Sequence, residues 1–165
     1  HPMSLGEKPT PQDIEVVSEQ LGRPARDIVG IPARCVCGNP LVVVTNPRLE
    51  DGTPFPTLYY LTQPAATQAA SRLEAEGKMA HYQERLAEDE EAQEAYRLAH
   101  ESFLATRAQL GAIEEIDGIS AGGMPTRVKC LHSLMAHSLS VGPGVNPVGD
   151  WALADTPWSK DVCSC

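Results

Sequence analysis

Three groups of residues in this chain carry side chains able to bind or react. The first is Cys35-Val36-Cys37, two thiols that alternation sends to one face if an extended strand runs through them. The second is Cys130, His132 and His137, a thiol and two imidazoles within one short stretch. Thiolate sulfur, imidazole nitrogen and carboxylate oxygen are the usual donors to zinc. Cys35, Cys37, Cys130, His132 and His137 are therefore the candidate metal ligands, with zinc the ion they suit. The third is Ser120-Ala121-Gly122-Gly123-Met124-Pro125-Thr126-Arg127-Val128-Lys129. Glycines ahead of a helix let backbone N–H groups approach an anion, and the helix start adds favourable potential. Gly122, Gly123, Arg127 and Lys129, joined by Arg34, form the candidate anion-binding set, and a phosphorylated metabolite is the matching ligand. The segment is not a Walker A loop, whose lysine and spacing it lacks.

Each group has a plainer reading. Gly122 and Gly123 equally suit a tight connection at positive φ, and buried free cysteines behave as small apolar residues. Helical geometry also restrains the Cys-His-His group. On a helix running from Pro125, Cys130 and His137 share a face but lie about 10.5 Å apart, too far for one zinc. Cys130 and His132 would point about 200° apart. That helix supplies two ligands to one ion only if Cys130 precedes its first turn. The Cys35/Cys37 pair would then be completed by Cys130 or a histidine. A reactive Cys130 beside Lys129 near a helix start favours thiolate, and its base would come from His81 or His100. Cys163 and Cys165 could bind metal too, but they stand in a terminal tail of the kind that usually frays. Glu84–Glu101 reads as a solvated face with a cap at Asp89, and Trp151 and Trp158 as anchors for the tail or contacts for a partner.

The elements that must position these groups are legible in outline. Residues 1–10 read as a flexible N-terminus. Thr10-Pro11-Gln12-Asp13 opens a helix with a cap, a proline at its first position and an acid in its first turn, and Gly22 closes it. Three strand-like runs follow, Ile28–Arg34, Leu41–Thr45 and Thr57–Thr62, and predict a small antiparallel meander. Helices are predicted over Ala65–Glu76, about Lys78–Ala87, from Asp89 to about Leu110, and about Pro125–Ser140. The fold class is α+β, a three-stranded antiparallel sheet against about five helices. The layout is a single domain over residues 11–150 and a tail over 151–165.

Composition narrows the function classes. The chain has 165 residues, the length of one domain, and a formal net charge of −9. Binding to nucleic acid or to anionic membranes needs a basic surface, and the local basic pairs Arg23/Arg26 and Arg127/Lys129 are too small to supply one. The longest aliphatic run, Leu41–Val44, falls far short of the ~20 residues of a membrane helix. Five cysteines, an odd number, with no export signal point to reduced thiols and a cytoplasmic location.

Several motifs together resemble a known family. They are Arg34-Cys35 with Gly38 and Pro40, the run Asp51–Thr62, Ser71-Arg72-Leu73-Glu74, Val128-Lys129-Cys130-Leu131-His132, Ala136-His137 and Asn146-Pro147-Val148-Gly149. Over about residues 20–150 the chain resembles family 501 of the domains of unknown function. The resemblance implies a bacterial, mostly actinobacterial, cytoplasmic protein. Family members tend to be encoded near a septum-formation initiator and an exopolyphosphatase-type phosphatase. The family brings no activity with it, and its pattern has a cysteine where this chain has Gln63. Two expectations stand. One is a small-ligand or metal site between the strand hairpin and the final helix. The other is a non-enzymatic interaction protein, linked to cell division or polyphosphate metabolism, that contacts a protein partner through its acidic helices or its tail.

Overall fold

The structure is a computed structural model that describes residues 5–165. The first helix, α1 (Pro11–Leu21), forms as its sequence predicts. Thr10 Oγ1 accepts from the Asp13 N–H and the Asp13 carboxylate accepts from the Thr10 N–H, so two orphan donors are satisfied reciprocally. The three strands β1 (Ile28–Arg34), β2 (Pro40–Thr45) and β3 (Tyr59–Leu61) make an antiparallel sheet in chain order. Central β2 is buried on both faces, and alternation divides it. Val43 joins Val17 and Ile31 under α1, while Val42 and Val44 face the main core with Tyr59 and Leu61.

Of the helices α2 (Pro64–Ala75), α3 (Lys78–Ala87), α4 (Glu90–Ala108), α5 (Leu131–Val141) and α6 (Pro147–Asp155), α5 lies across that main face, α2 and α6 pack on α5, and α3 and α4 join through them. Helix α5 is the hub. Leu131, Leu134, Met135 and Ala136 are fully buried against β3, α2 and α6. With six α-helices among the described residues, the protein has the expected α+β architecture.

Two elements differ from the sequence reading. The last predicted helix does not start at Pro125 but at Leu131, because tertiary contacts claim the backbone between. Arg127 and Lys129 N–H groups bond back to the Gly123 and Gly122 carbonyls. Gln83 takes both the Thr126 carbonyl and the Val128 N–H, and the Tyr96 hydroxyl donates to the Arg127 carbonyl. The predicted tail boundary at 150 falls inside α6, whose start carries an Asn146 cap bonded to the Gly149 N–H, a proline at its first position and Asp150 in its first turn. Gly149 lets α5 and α6 touch, since a Cβ there would overlap the Leu134 carbonyl oxygen. Of the segment 1–10, residues 1–4 lie outside the described residues. Glu7 exchanges two backbone hydrogen bonds with Ile31 of β1, at 3.1 and 2.8 Å.

Candidate functional site

The first candidate site forms where the tail returns to the β1–β2 connection. After Arg34 the strand ends and the chain turns, with the Gly38 N–H bonded to the Cys35 carbonyl and the Cys35 N–H to that of Asn39, both at 2.8 Å. Beyond α6, the Trp158 ring packs on the core and its Nε1–H donates to Gln63 Oε1 at 3.1 Å. Val36 N–H then donates to the Lys160 carbonyl, and Gln63 Nε2 to Cys165 Sγ at 3.0 Å. These fastenings bring the Sγ atoms of Cys35, Cys37, Cys163 and Cys165 within 4.8 Å of one another. Sulfurs on a tetrahedral zinc, at about 2.3 Å each, stand about 3.8 Å apart. Four cysteine sulfurs at this spacing could hold a metal ion, and a four-sulfur donor set suits zinc or iron. Cys35 is buried and the other three are exposed.

The second site lies at the start of α5. Cys130 is the residue before its first turn, with extended backbone (φ −152°, ψ 112°), so the 200° divergence expected on a continuous helix does not apply. Cys130 and His132 therefore converge, and Glu74 of α2 joins them. The three ligand atoms lie within 4.8 Å of one another. Glu74 Oε2 accepts from the Leu131 N–H at 2.9 Å and lies 3.1 Å from His132 Nδ1. The other ring nitrogen, Nε2, lies 3.1 Å from Ser71 Oγ, one turn before Glu74 on α2. Burial pushes the Cys130 thiol up, but hydrogen bonds with His132 and Ser133 outweigh it and leave the thiol below its ordinary range. His132 is raised, first by its hydrogen bond to Cys130 and, against burial, by the Glu74 carboxylate.

Comparison with protein families matches the chain to the family described as Protein of unknown function (DUF501), over residues 31–154. The chain belongs to this family. No curated protein and no solved structure matches it. The DUF501 span contains Cys35, Cys37, Glu74, Cys130 and His132 and ends before Cys163 and Cys165. Gln63, where the resemblance expects cysteine, sits beside Cys165 at the edge of the four-thiol cluster.

The remaining candidates are placed elsewhere in the DUF501 fold. His137 is fully buried, stacked on Tyr59 at 5.5 Å and edge-on to Phe103 at 5.4 Å. Its Nδ1 accepts from Asn146 Nδ2 at 3.1 Å, because Asn146 Oδ1 is occupied by the Gly149 N–H. The proton is thus on Nε2, which has no partner among the described residues. Arg34 is taken by acids, with two hydrogen bonds to Asp13 at 2.9 Å and one to Glu7 at 2.6 Å. Gly122 and Gly123 have φ of +64° and +96°. A Cβ at Gly122 would lie 2.6 Å from Leu134 Cγ, and one at Gly123 2.6 Å from the Arg127 carbonyl oxygen. Both glycines are used by packing, and the α5 start already holds an anion, the Glu74 carboxylate. His100 bonds Ser120 Oγ at 2.7 Å, so the histidine beside Cys130 is His132 rather than His81 or His100. Sequence reasoning missed Glu74 and Ser71, whose spacing of three residues on α2 puts them on one face. Among the described residues no helix is long and apolar enough to cross a membrane.

Proposed function

We propose that this protein is a zinc-binding domain in which Cys35, Cys37, Cys163 and Cys165 hold one structural zinc ion. The convergence of two Cys-x-Cys pairs far apart in the chain carries this reading. Four protein ligands leave no open coordination position, which is the character of a structural site. The ion would staple the tail to the β1–β2 turn, adding binding free energy to the native state alone. Thiolates held in this way belong in a reducing compartment, which supports a cytoplasmic location.

Elemental analysis of protein purified under reducing conditions tests the proposal. Zinc content should fall by one tightly held ion per chain in Cys163→Ser, and the cobalt-substituted protein should show the charge-transfer bands of a four-thiolate site. Stoichiometric iron, disulfides between these cysteines in the native protein, or zinc content unchanged by Cys163→Ser would each overturn it.

A further inference from the structure

We infer that Glu74, Cys130 and His132 form a second, open metal site, which takes a zinc-class divalent ion with three protein ligands and leaves one coordination position exchangeable. The inference does not rest on the four-thiol site, with which it shares no residue.

The donor set is one carboxylate oxygen, one sulfur and one imidazole nitrogen, all of which zinc accepts. Glu74 Oε2 and His132 Nδ1 are 3.1 Å apart. Ligands on neighbouring corners of a tetrahedron, with bonds of about 2.0–2.1 Å, stand about 3.4 Å apart. The pair is already near the spacing an ion would impose. All three residues are half-buried, so the site is reachable from solvent and yet partly shielded from it.

The surroundings match what an imidazole ligand needs. A metal-bound histidine donates its other ring N–H to a fixed acceptor, which sets the tautomer. Binding displaces the protons of the Cys130 thiol and of His132 Nδ1 to solvent. The proton left on Nε2 faces Ser71 Oγ, 3.1 Å away, and the hydroxyl rotates to accept it. The Leu131 N–H holds Glu74 Oε2 from the other side. Each ligand is positioned by secondary structure: Glu74 and Ser71 by one face of α2, His132 by the first turn of α5, and Cys130 by the extended residue before it. The neighbouring Leu131, fully buried, locks that turn in place.

Three ligands with one free position are the arrangement of zinc sites that bind water or an exchangeable ligand. The fourth position here takes water, or a small anion or thiolate from solution. Ser71 is a positioning residue in this scheme, since it touches the ligand and not the ion.

Cobalt(II) titration of the reduced protein tests the inference. Wild type should bind two equivalents. Cys37→Ser/Cys165→Ser, which disables the four-thiol site, should bind one, with a charge-transfer band of a single thiolate. Adding Cys130→Ser or His132→Ala to that variant should abolish binding, and adding Ser71→Ala should keep the stoichiometry but weaken affinity about 10–100-fold. Should Cys37→Ser/Cys165→Ser fail to fold by circular dichroism, wild type against Cys130→Ser decides, with two equivalents falling to one while the four-thiolate spectrum stays. That same spectrum tests the four-thiol site separately. A folded double variant that binds no cobalt, or binding indifferent to Cys130 and His132, overturns the inference.

Discussion

His137 is the residue whose burial has the clearest thermodynamic signature. Its ring is enclosed by Tyr59 and Phe103, and burial lowers its pKa to about 4. An unfolded chain protonates the same imidazole near pH 6.5. Above that pH the ring is neutral in both states and contributes no pH dependence. Between pH 6.5 and 4 the unfolded chain takes up a proton that the native one refuses, so stability falls as pH falls. The loss should reach about 3 kcal/mol near pH 4 and grow no further below it. Urea midpoints across this range, compared with His137→Gln, should show a shallower slope in the variant; equal slopes would mean that the ring titrates normally. At Gly122, the second residue-scale case, Gly122→Ala demands a positive φ from alanine and drives a methyl group into Leu134. A loss of about 2–3 kcal/mol is expected, read by chemical denaturation.

Helix α1 is joined to the sheet by charge. The Arg34 guanidinium lies bidentate on Asp13, holding that carboxyl far below the ordinary carboxylate range, while Asp13 also closes the Thr10 capping box. Asp13→Ala should cost about 2–3 kcal/mol, since it removes a cap and leaves half-buried Arg34 with fewer acceptors. Thermal melts at pH 7 against wild type check this, and a change under 0.5 kcal/mol would show the pair to be idle. Such an element was open to sequence reading because its signals are local: Thr10, Pro11, Asp13 and Gly22 are contiguous with the helix they bound. The start of α5 was not. Pro125 after two glycines imitates a helix start, and what moves the true start to Leu131 is Gln83, Tyr96 and Glu74, side chains from other helices. Helix α6 has local signals of its own in Asn146, Pro147 and Asp150, the cap, the first-position proline and the first-turn acid. For the same reason Cys130 and His132 looked opposed, and nothing local linked Glu74 to them.

At the scale of the molecule, two Cys-x-Cys pairs far apart in the chain become one cluster only after the sheet, α5 and α6 are in place. Neither pair alone marks the other, and the second stands in a tail whose composition suggests fraying. The docking of Trp158 on Gln63 is what brings it home. If the four sulfurs hold zinc, a strong chelator should lower the melting temperature by about 10 °C, from a binding contribution of a few kcal/mol. A chain truncated after Asp155 should melt lower and respond less to the chelator, and an unchanged response would separate the tail from the metal.

The Gln63 amide touches the tail twice, accepting from the Trp158 indole and donating to Cys165 sulfur. The chain has only two tryptophans, and the other, Trp151, lies under Arg85 beside Tyr82 on α3. One of the two fluorophores is therefore wired through a single side chain to the clasp. Intrinsic emission should change when the clasp is loaded or stripped, and Trp158→Phe should silence that change, giving a label-free optical readout of tail closure in dilute solution.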